Sequence, residues 1–134
     1  GLMGPTSASF AQLGEGAIVY KKSEQLEVVF WPEPAEYANA TDFLTDDSYE
    51  GHLQVQVVDE CVGEIGALTD GLQRLALDYS ERSAFPGFFG PLFRDLSQAD
   101  DVDSLRIPFR QFLESDPVNK RTDDDKTLVL AVRR

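Results

Sequence analysis

One cysteine, one histidine, one methionine and one tryptophan occur in 134 residues. The lone Cys61 excludes an intrachain disulfide, so a disulfide-framed secreted scaffold is ruled out and a reducing, cytoplasmic setting is expected. Basic residues are few: 12 Lys and Arg stand against 24 Asp and Glu, a formal charge of −12. That balance argues against a nucleic-acid partner, whose phosphates draw on clustered Lys and Arg, and against an anionic membrane surface. No run approaches the roughly 20 apolar residues of a membrane span, and no secretory signal is visible.

What is present is enough for one folded domain. The composition is 42% hydrophobic and 10% aromatic, which supplies a core without staples. The opening "GLMGPTS" has no pattern and reads as a flexible start or an expression remnant over residues 1–8, with the domain proper at 9–134. Ser9 to Leu13 and Ala17 to Tyr20 are β-prone runs around "GEG", and Leu26 to Trp31 follows a polar turn, which predicts a three-stranded meander. The Pro-, Asp- and Thr-rich stretch 32–51 predicts a long irregular connection, with Tyr37, Phe43 and Leu44 as anchors.

From His52, "HLQVQVV" alternates, which predicts a half-buried strand with Leu53, Val55 and Val57 inward and His52, Gln54 and Gln56 outward. Val62 to Thr69 is a further strand ending at Asp70-Gly71, with helix expected directly after. Phe85, Phe88, Phe89, Leu92, Phe93 and Leu96 recur at helical spacing; Leu105, Phe109, Phe112 and Leu113 predict a second helix, with Asp100, Asp101 and Asp103 near its start, where acidic residues suit the dipole. Leu128 to Val132 is the last strand. Several strands with two helices make the fold class α+β.

The chemistry concentrates at two acidic points. Asp70 ends one strand and Asp124, within Asp123-Asp124-Asp125, precedes another. Were those strands antiparallel neighbours, the end of one would lie beside the beginning of the other, and both carboxylates would reach one ion. Hard oxygen donors suit Mg²⁺ or Mn²⁺, which keep several waters and need only one or two protein carboxylates. A solvated Asp-rich turn has the same composition, and the pattern alone leaves both readings open.

Here the motifs resemble a known family. "LTDGLQRLAL" and, some way on, "RTDDDKTLVLA" are similar to the C-terminal half of the protein phosphatase 2C domain, particularly its bacterial branch: a Ser/Thr-Asp-Gly motif at Thr69, Asp70 and Gly71, and an Asp-Asn/Asp-x-Thr motif at Asp124, Asp125, Lys126 and Thr127. "FAQLGEGAIVY" resembles the family's strand, Gly-Asp-Gly turn and strand, and "AEYANATDFLT" resembles a loop of the same branch. The resemblance implies a partial α-β-β-α sandwich of antiparallel sheets flanked by helices, with its N-terminal strands missing. It implies Asp70 and Asp124 as ligands of Mg²⁺ or Mn²⁺, and a phosphoserine or phosphothreonine protein as substrate. Two positions depart from the pattern: Glu15 replaces the Asp of the turn, leaving it a weaker candidate ligand, and Ala35 replaces a Gly. The family's N-terminal half also supplies an Asp that bridges two metals and an Arg that grips phosphate. Without them the chain is expected to be inactive alone and to pair with a complementary segment or with itself, unless it is a non-catalytic interaction module.

The remaining candidates read as structure. His52 lies on the polar side of its strand and reads as surface. Cys61 follows Asp59 and Glu60, an acidic setting that does not suit a nucleophile. Arg74, Arg82 and Arg94 are too scattered in sequence to form a phosphate clamp, so no substrate-binding residue is assigned.

Overall fold

The computed structural model describes residues 1–32 and 43–134. Its strands are β1 (Leu2–Met3), β2 (Ala8–Gln12), β3 (Ala17–Lys22), β4 (Gln25–Val28), β5 (Gln54–Val58), β6 (Glu64–Leu68), β7 (Leu77–Asp78), β8 (Ser83–Ala84) and β9 (Leu128–Val132). Four helices accompany them: the single turns α1 (Gln73–Ala76) and α4 (Asp116–Asn119), and the longer α2 (Pro86–Gln98) and α3 (Arg106–Leu113). All pairings are antiparallel: one sheet runs β1-β2-β5, a second runs β4-β3-β6-β9, and β7 with β8 forms a small hairpin. The mixture of antiparallel sheets and helices is the expected α+β class.

The expected meander does not form. β3 and β4 pair as a hairpin, but β2 belongs to the other sheet. The cause is the turn between them. Gly14 and Gly16 have φ of 77° and 146°, values that let the chain leave one sheet and enter the next. A Cβ on Gly16 would also stand 2.8 Å from the Leu68 carbonyl oxygen, so the turn is pressed against the end of β6.

Alternation along each strand then divides its side chains between two layers. Phe10 of β2 stacks on Tyr20 of β3, ring centroids 5.6 Å apart, and Ala8, Val58, Val62, Ile18 and Ile65 fill the space between the sheets. Burial between the sheets raises the pKa of the Tyr20 phenol, with Glu27 and Glu60 adding to it. Ala17, Val19 and Leu68 face the other way, toward α2. There Phe89 is fully buried, and a Cβ on Gly66 would stand 2.8 Å from its ring; the strand glycine makes the slot into which the phenylalanine fits.

α2 starts at Pro86, whose fixed φ suits a first helical residue, and tolerates Pro91 inside. Phe88, Phe89 and Phe93 are buried as the spacing requires. Phe85 is corrected: it is the residue before the helix and is 47% exposed. Phe109, Phe112 and Leu113 are half-buried and packed against the core, as expected, and Leu105 is half-buried. Asp101 begins the turn leading to α3, its Oδ1 accepting the Asp103 amide at 3.0 Å, which accounts for the acidic run as a helix start.

Two further expectations are corrected. Val55 and Val57 are 63% and 60% exposed, because the face of β5 that meets the other sheet carries Gln56 and Val58, opposite Phe10 and Ala8. Period-two alternation identifies two faces but not which one is covered. Phe43 and Leu44, expected as anchors, are also exposed, and Tyr37 and Ala35 lie outside the described residues. The helix expected after Asp70-Gly71 is only one turn, because Leu77 enters the β7–β8 hairpin. Leu2–Met3 pairs with Ser9 and Ala8, so the opening forms an edge strand where its sequence shows no pattern.

Candidate functional site

The two acidic points are brought together by the register of one strand pair. β6 and β9 are antiparallel neighbours, with Leu68 opposite Leu128, so the chain leaving β6 runs beside the chain entering β9. Beyond the last ladder pair the two segments stay joined. The Thr69 amide donates to the Thr127 carbonyl at 3.1 Å, the Thr127 amide donates to Thr69 Oγ1 at 3.0 Å, and that hydroxyl donates to the Asp125 carbonyl at 3.3 Å. Next, Gly71 lies so close that a Cβ there would be 2.4 Å from the Asp125 carbonyl oxygen and 3.3 Å from Asp124 Cβ. Glycine is the residue that permits this approach.

Each carboxylate is oriented by its own backbone. Asp70 Oδ1 accepts the Gly71 amide at 2.9 Å, and Asp124 Oδ1 accepts the Asp125 amide at 2.8 Å. The Asp124 amide in turn donates to Thr122 Oγ1 at 3.2 Å. Among the described residues, the second oxygen of each carboxylate accepts no hydrogen bond. Both side chains are exposed and line one cleft of about 1180 Å³ with Asp123 and with Glu15, carried in by the Gly14–Gly16 turn. The three residues singled out from the sequence, Glu15, Asp70 and Asp124, therefore share a cavity.

The donor set is thin. Among the described residues no group of three or more His, Cys, Asp or Glu side chains could hold a metal ion. Two carboxylates with a free oxygen each suit an ion that retains most of its water, as Mg²⁺ and Mn²⁺ do, and do not suit one that demands a full protein cage.

The same cleft contains residues that sequence reasoning left unassigned. Arg74 on α1 and Arg121 after α4 both line it. Trp31 and Tyr79 form an aromatic wall, centroids 5.4 Å apart, and the Arg82 guanidinium lies 5.5 Å from the centre of the Trp31 ring. The Tyr79 hydroxyl donates to Gln73 Oε1 at 2.9 Å; partial burial raises its pKa, and the Arg74 charge opposes that rise. The available sequence signal for Arg74 was its place four residues after Asp70, one turn on. Arg121 gave a similar signal three residues before Asp124. His52 is exposed and also lines the cleft, whereas exposed Cys61 lies outside its lining. No helix among the described residues is long and apolar enough to cross a membrane.

Comparison with known proteins identifies the fold family. The family model for protein phosphatase 2C matches residues 2–113, a span that contains Glu15 and Asp70 and stops before Asp124. Serine/threonine-protein phosphatase 3 of Escherichia coli (strain K12) is 38% identical over 130 residues, covering 96% of this chain and 51% of the relative. The chain thus spans about half the length of the curated relative it matches, and no solved structure matches it. With a family match over most of its length, a relative at this identity, and the Thr69-Asp70-Gly71 segment seated against Asp124, the chain belongs to the protein phosphatase 2C family.

Proposed function

We propose that the chain is part of a metal-dependent protein serine/threonine phosphatase in which Asp70 and Asp124 hold Mg²⁺ or Mn²⁺, with Glu15 a weaker contributor. The observation that carries this reading is the seating of Gly71 against Asp124 and Asp125, which brings the Asp70 and Asp124 segments together so that both carboxylates line one cleft. Two adjacent carboxylates repel, and a divalent ion removes the repulsion. Phosphatases of this family are metal-dependent, typically on Mg²⁺ or Mn²⁺. When bound, such ions supply an acidified water and positive charge for the phosphoryl oxygens. In this chain the two carboxylates would hold the ion, with the Gly71 and Asp125 amides fixing one oxygen of each. The substrate class is a phosphoserine or phosphothreonine protein.

The chain alone holds half of the site. In this reading it is the C-terminal portion of a partial α-β-β-α sandwich, and a complementary segment brings the bridging carboxylate and the outer layer of the β1-β2-β5 sheet. Supporting this are the share of the relative that the chain spans and the exposed Leu2, Val55 and Val57 on that sheet. An uncovered apolar sheet face is ordinarily an interface. The second reading, a non-catalytic phosphatase-like interaction module, is favoured by the lack of a three-ligand group among the described residues.

The deciding experiment is p-nitrophenyl phosphate hydrolysis with Mn²⁺, alongside Mn²⁺ binding followed by the loss of its free-ion resonance signal. The expected result is weak Mn²⁺ binding that Asp70→Asn abolishes, with turnover only when the complementary segment is added. Manganese-dependent turnover by a monodisperse monomer would overturn the half-site reading. Mn²⁺ binding indifferent to Asp70→Asn and Asp124→Asn would select the interaction module.

A further inference from the structure

The cleft holds four carboxylates, from Glu15, Asp70, Asp123 and Asp124, yet two of the few cations in an acidic chain open into it. Arg74 and Arg121 are also set apart by what they lack. Arg94, Arg106 and Arg110 are each paired to a carboxylate, Arg82 lies over Trp31, and Arg133 and Arg134 donate to backbone carbonyls. Among the described residues neither Arg74 nor Arg121 has a carboxylate partner, although the cleft they line offers four. Each is carried by the segment that also carries a carboxylate: Asp70 and Arg74 by the turn and helix after β6, Arg121 and Asp124 by the run before β9.

A phosphate monoester is a dianion and is repelled by such a cleft unless positive charge meets it. Metal ions supply part of that charge. Guanidinium groups supply the rest in a form matched to phosphate, since their fork of N–H donors pairs with two oxygens at once. We infer that Arg74 and Arg121, which lie between Asp70 and Asp124 in sequence, are the substrate-anion residues of this cleft, gripping the oxygens of a phosphate monoester. This rests on the phosphatase reading for the identity of the anion, but the anion site itself belongs to the arginines and not to the metal. It assigns to this half of the domain a phosphate grip that the sequence left unassigned.

The test is equilibrium binding of inorganic phosphate to the full 134-residue chain, with and without Mn²⁺, for the unaltered chain and for Arg74→Gln, Arg121→Gln and Arg94→Gln. Both cleft side chains are exposed, and unchanged circular dichroism checks that the variants fold. Expected is a loss of phosphate affinity of about tenfold for each cleft variant, the order of one charge-assisted hydrogen bond, with Arg94→Gln unchanged and Mn²⁺ binding retained in all. Lysine at either cleft position should restore part of the affinity by keeping the charge. Phosphate affinity that is the same in all four proteins, or no binding at millimolar phosphate in either condition, overturns the inference. Arginine-dependent phosphate binding in a chain that binds no Mn²⁺ would sustain it while removing the metal reading.

Discussion

The two sheets of this molecule are built from similar strands but live in different surroundings. The β4-β3-β6-β9 sheet is packed by Phe88, Phe89 and Phe93 of α2 on one face and, over β3 and β6, by Phe10 and its neighbours on the other, where Val129 of β9 stays 61% exposed. The β1-β2-β5 sheet is covered on one face only, and its other face shows Leu2, Val55 and Val57 to solvent. The carboxylate pair is built at the end of the better-covered sheet, where β6 and β9 are joined by a ladder that ends at Leu68 and Leu128. Glu15 sits at the turn where the chain passes from one sheet to the other. A site needs a rigid base, and the molecule provides it at the end of the sheet that α2 packs against.

That contrast can be broken most directly at Phe89. Phe89→Ala empties the slot over Gly66 and should cost about 3–5 kcal/mol, measured by urea denaturation; a cost below about 1 kcal/mol would mean that α2 is not what steadies the covered sheet. Next comes Gly71→Ala, which forces a methyl onto the Asp125 carbonyl. About 1–3 kcal/mol of overpacking is expected, together with loss of Mn²⁺ binding, because the motif segments must separate. Retained Mn²⁺ affinity would show that the close approach is not required for the site.

The open sheet should respond differently. Val55→Thr with Val57→Thr keeps β-branched side chains on an exposed face, so the chain's own stability should change by less than about 0.5 kcal/mol. Association with a complementary segment, read by analytical ultracentrifugation, should weaken markedly; if it does not, that face is not the interface. The smallest effect is expected at the β7–β8 hairpin. Asp78 Oδ1 accepts from Ser80 Oγ and from the Ser80 and Glu81 amides, and these bonds, the Ser80 hydroxyl first, lower its pKa from 3.8. A lowered folded pKa means that the bonded carboxylate contributes stability above pH 3.8, which is lost as pH falls below that value. Asp78→Asn should therefore flatten the acid limb of the melting temperature slightly and leave its value at pH 7 to 8 a little lower; an unchanged acid limb would show that the turn bonds contribute nothing.

Much of the covered half was legible in the sequence. Leu128–Val132 was readable as a strand from five consecutive apolar residues, and Phe88, Phe89 and Phe93 as one helical face from their spacing. The pairing of Asp70 with Asp124 was legible as a condition, since strand end meets strand beginning only if the two are antiparallel neighbours, and the register supplies that condition. The open half was misread for a physical reason. Alternation in "HLQVQVV" marks Val55 and Val57 as an apolar face without saying what lies against it, and the turn at Glu15 was read as a hairpin because positive φ at Gly14 and Gly16 serves a crossover equally well. Arg74 and Arg121 were missed as a pair because they lie far apart in sequence and are brought to one cleft by β6 and β9.

The clasp between Thr69 and Thr127 has a consequence in time as well as in space. Its hydrogen bonds join residues 56 and 58 positions apart, and everything from α1 to α4 lies within the loop they close. Closing so long a loop loses chain entropy that nearby contacts do not. The β3–β4 hairpin and α2 can form from neighbours, whereas the carboxylates meet only after the intervening helices have docked and β9 has found β6. Acquisition of the cleft is therefore expected late in folding, so that the rate at which Mn²⁺ binding returns after refolding should report completion of this half and not of its first local elements.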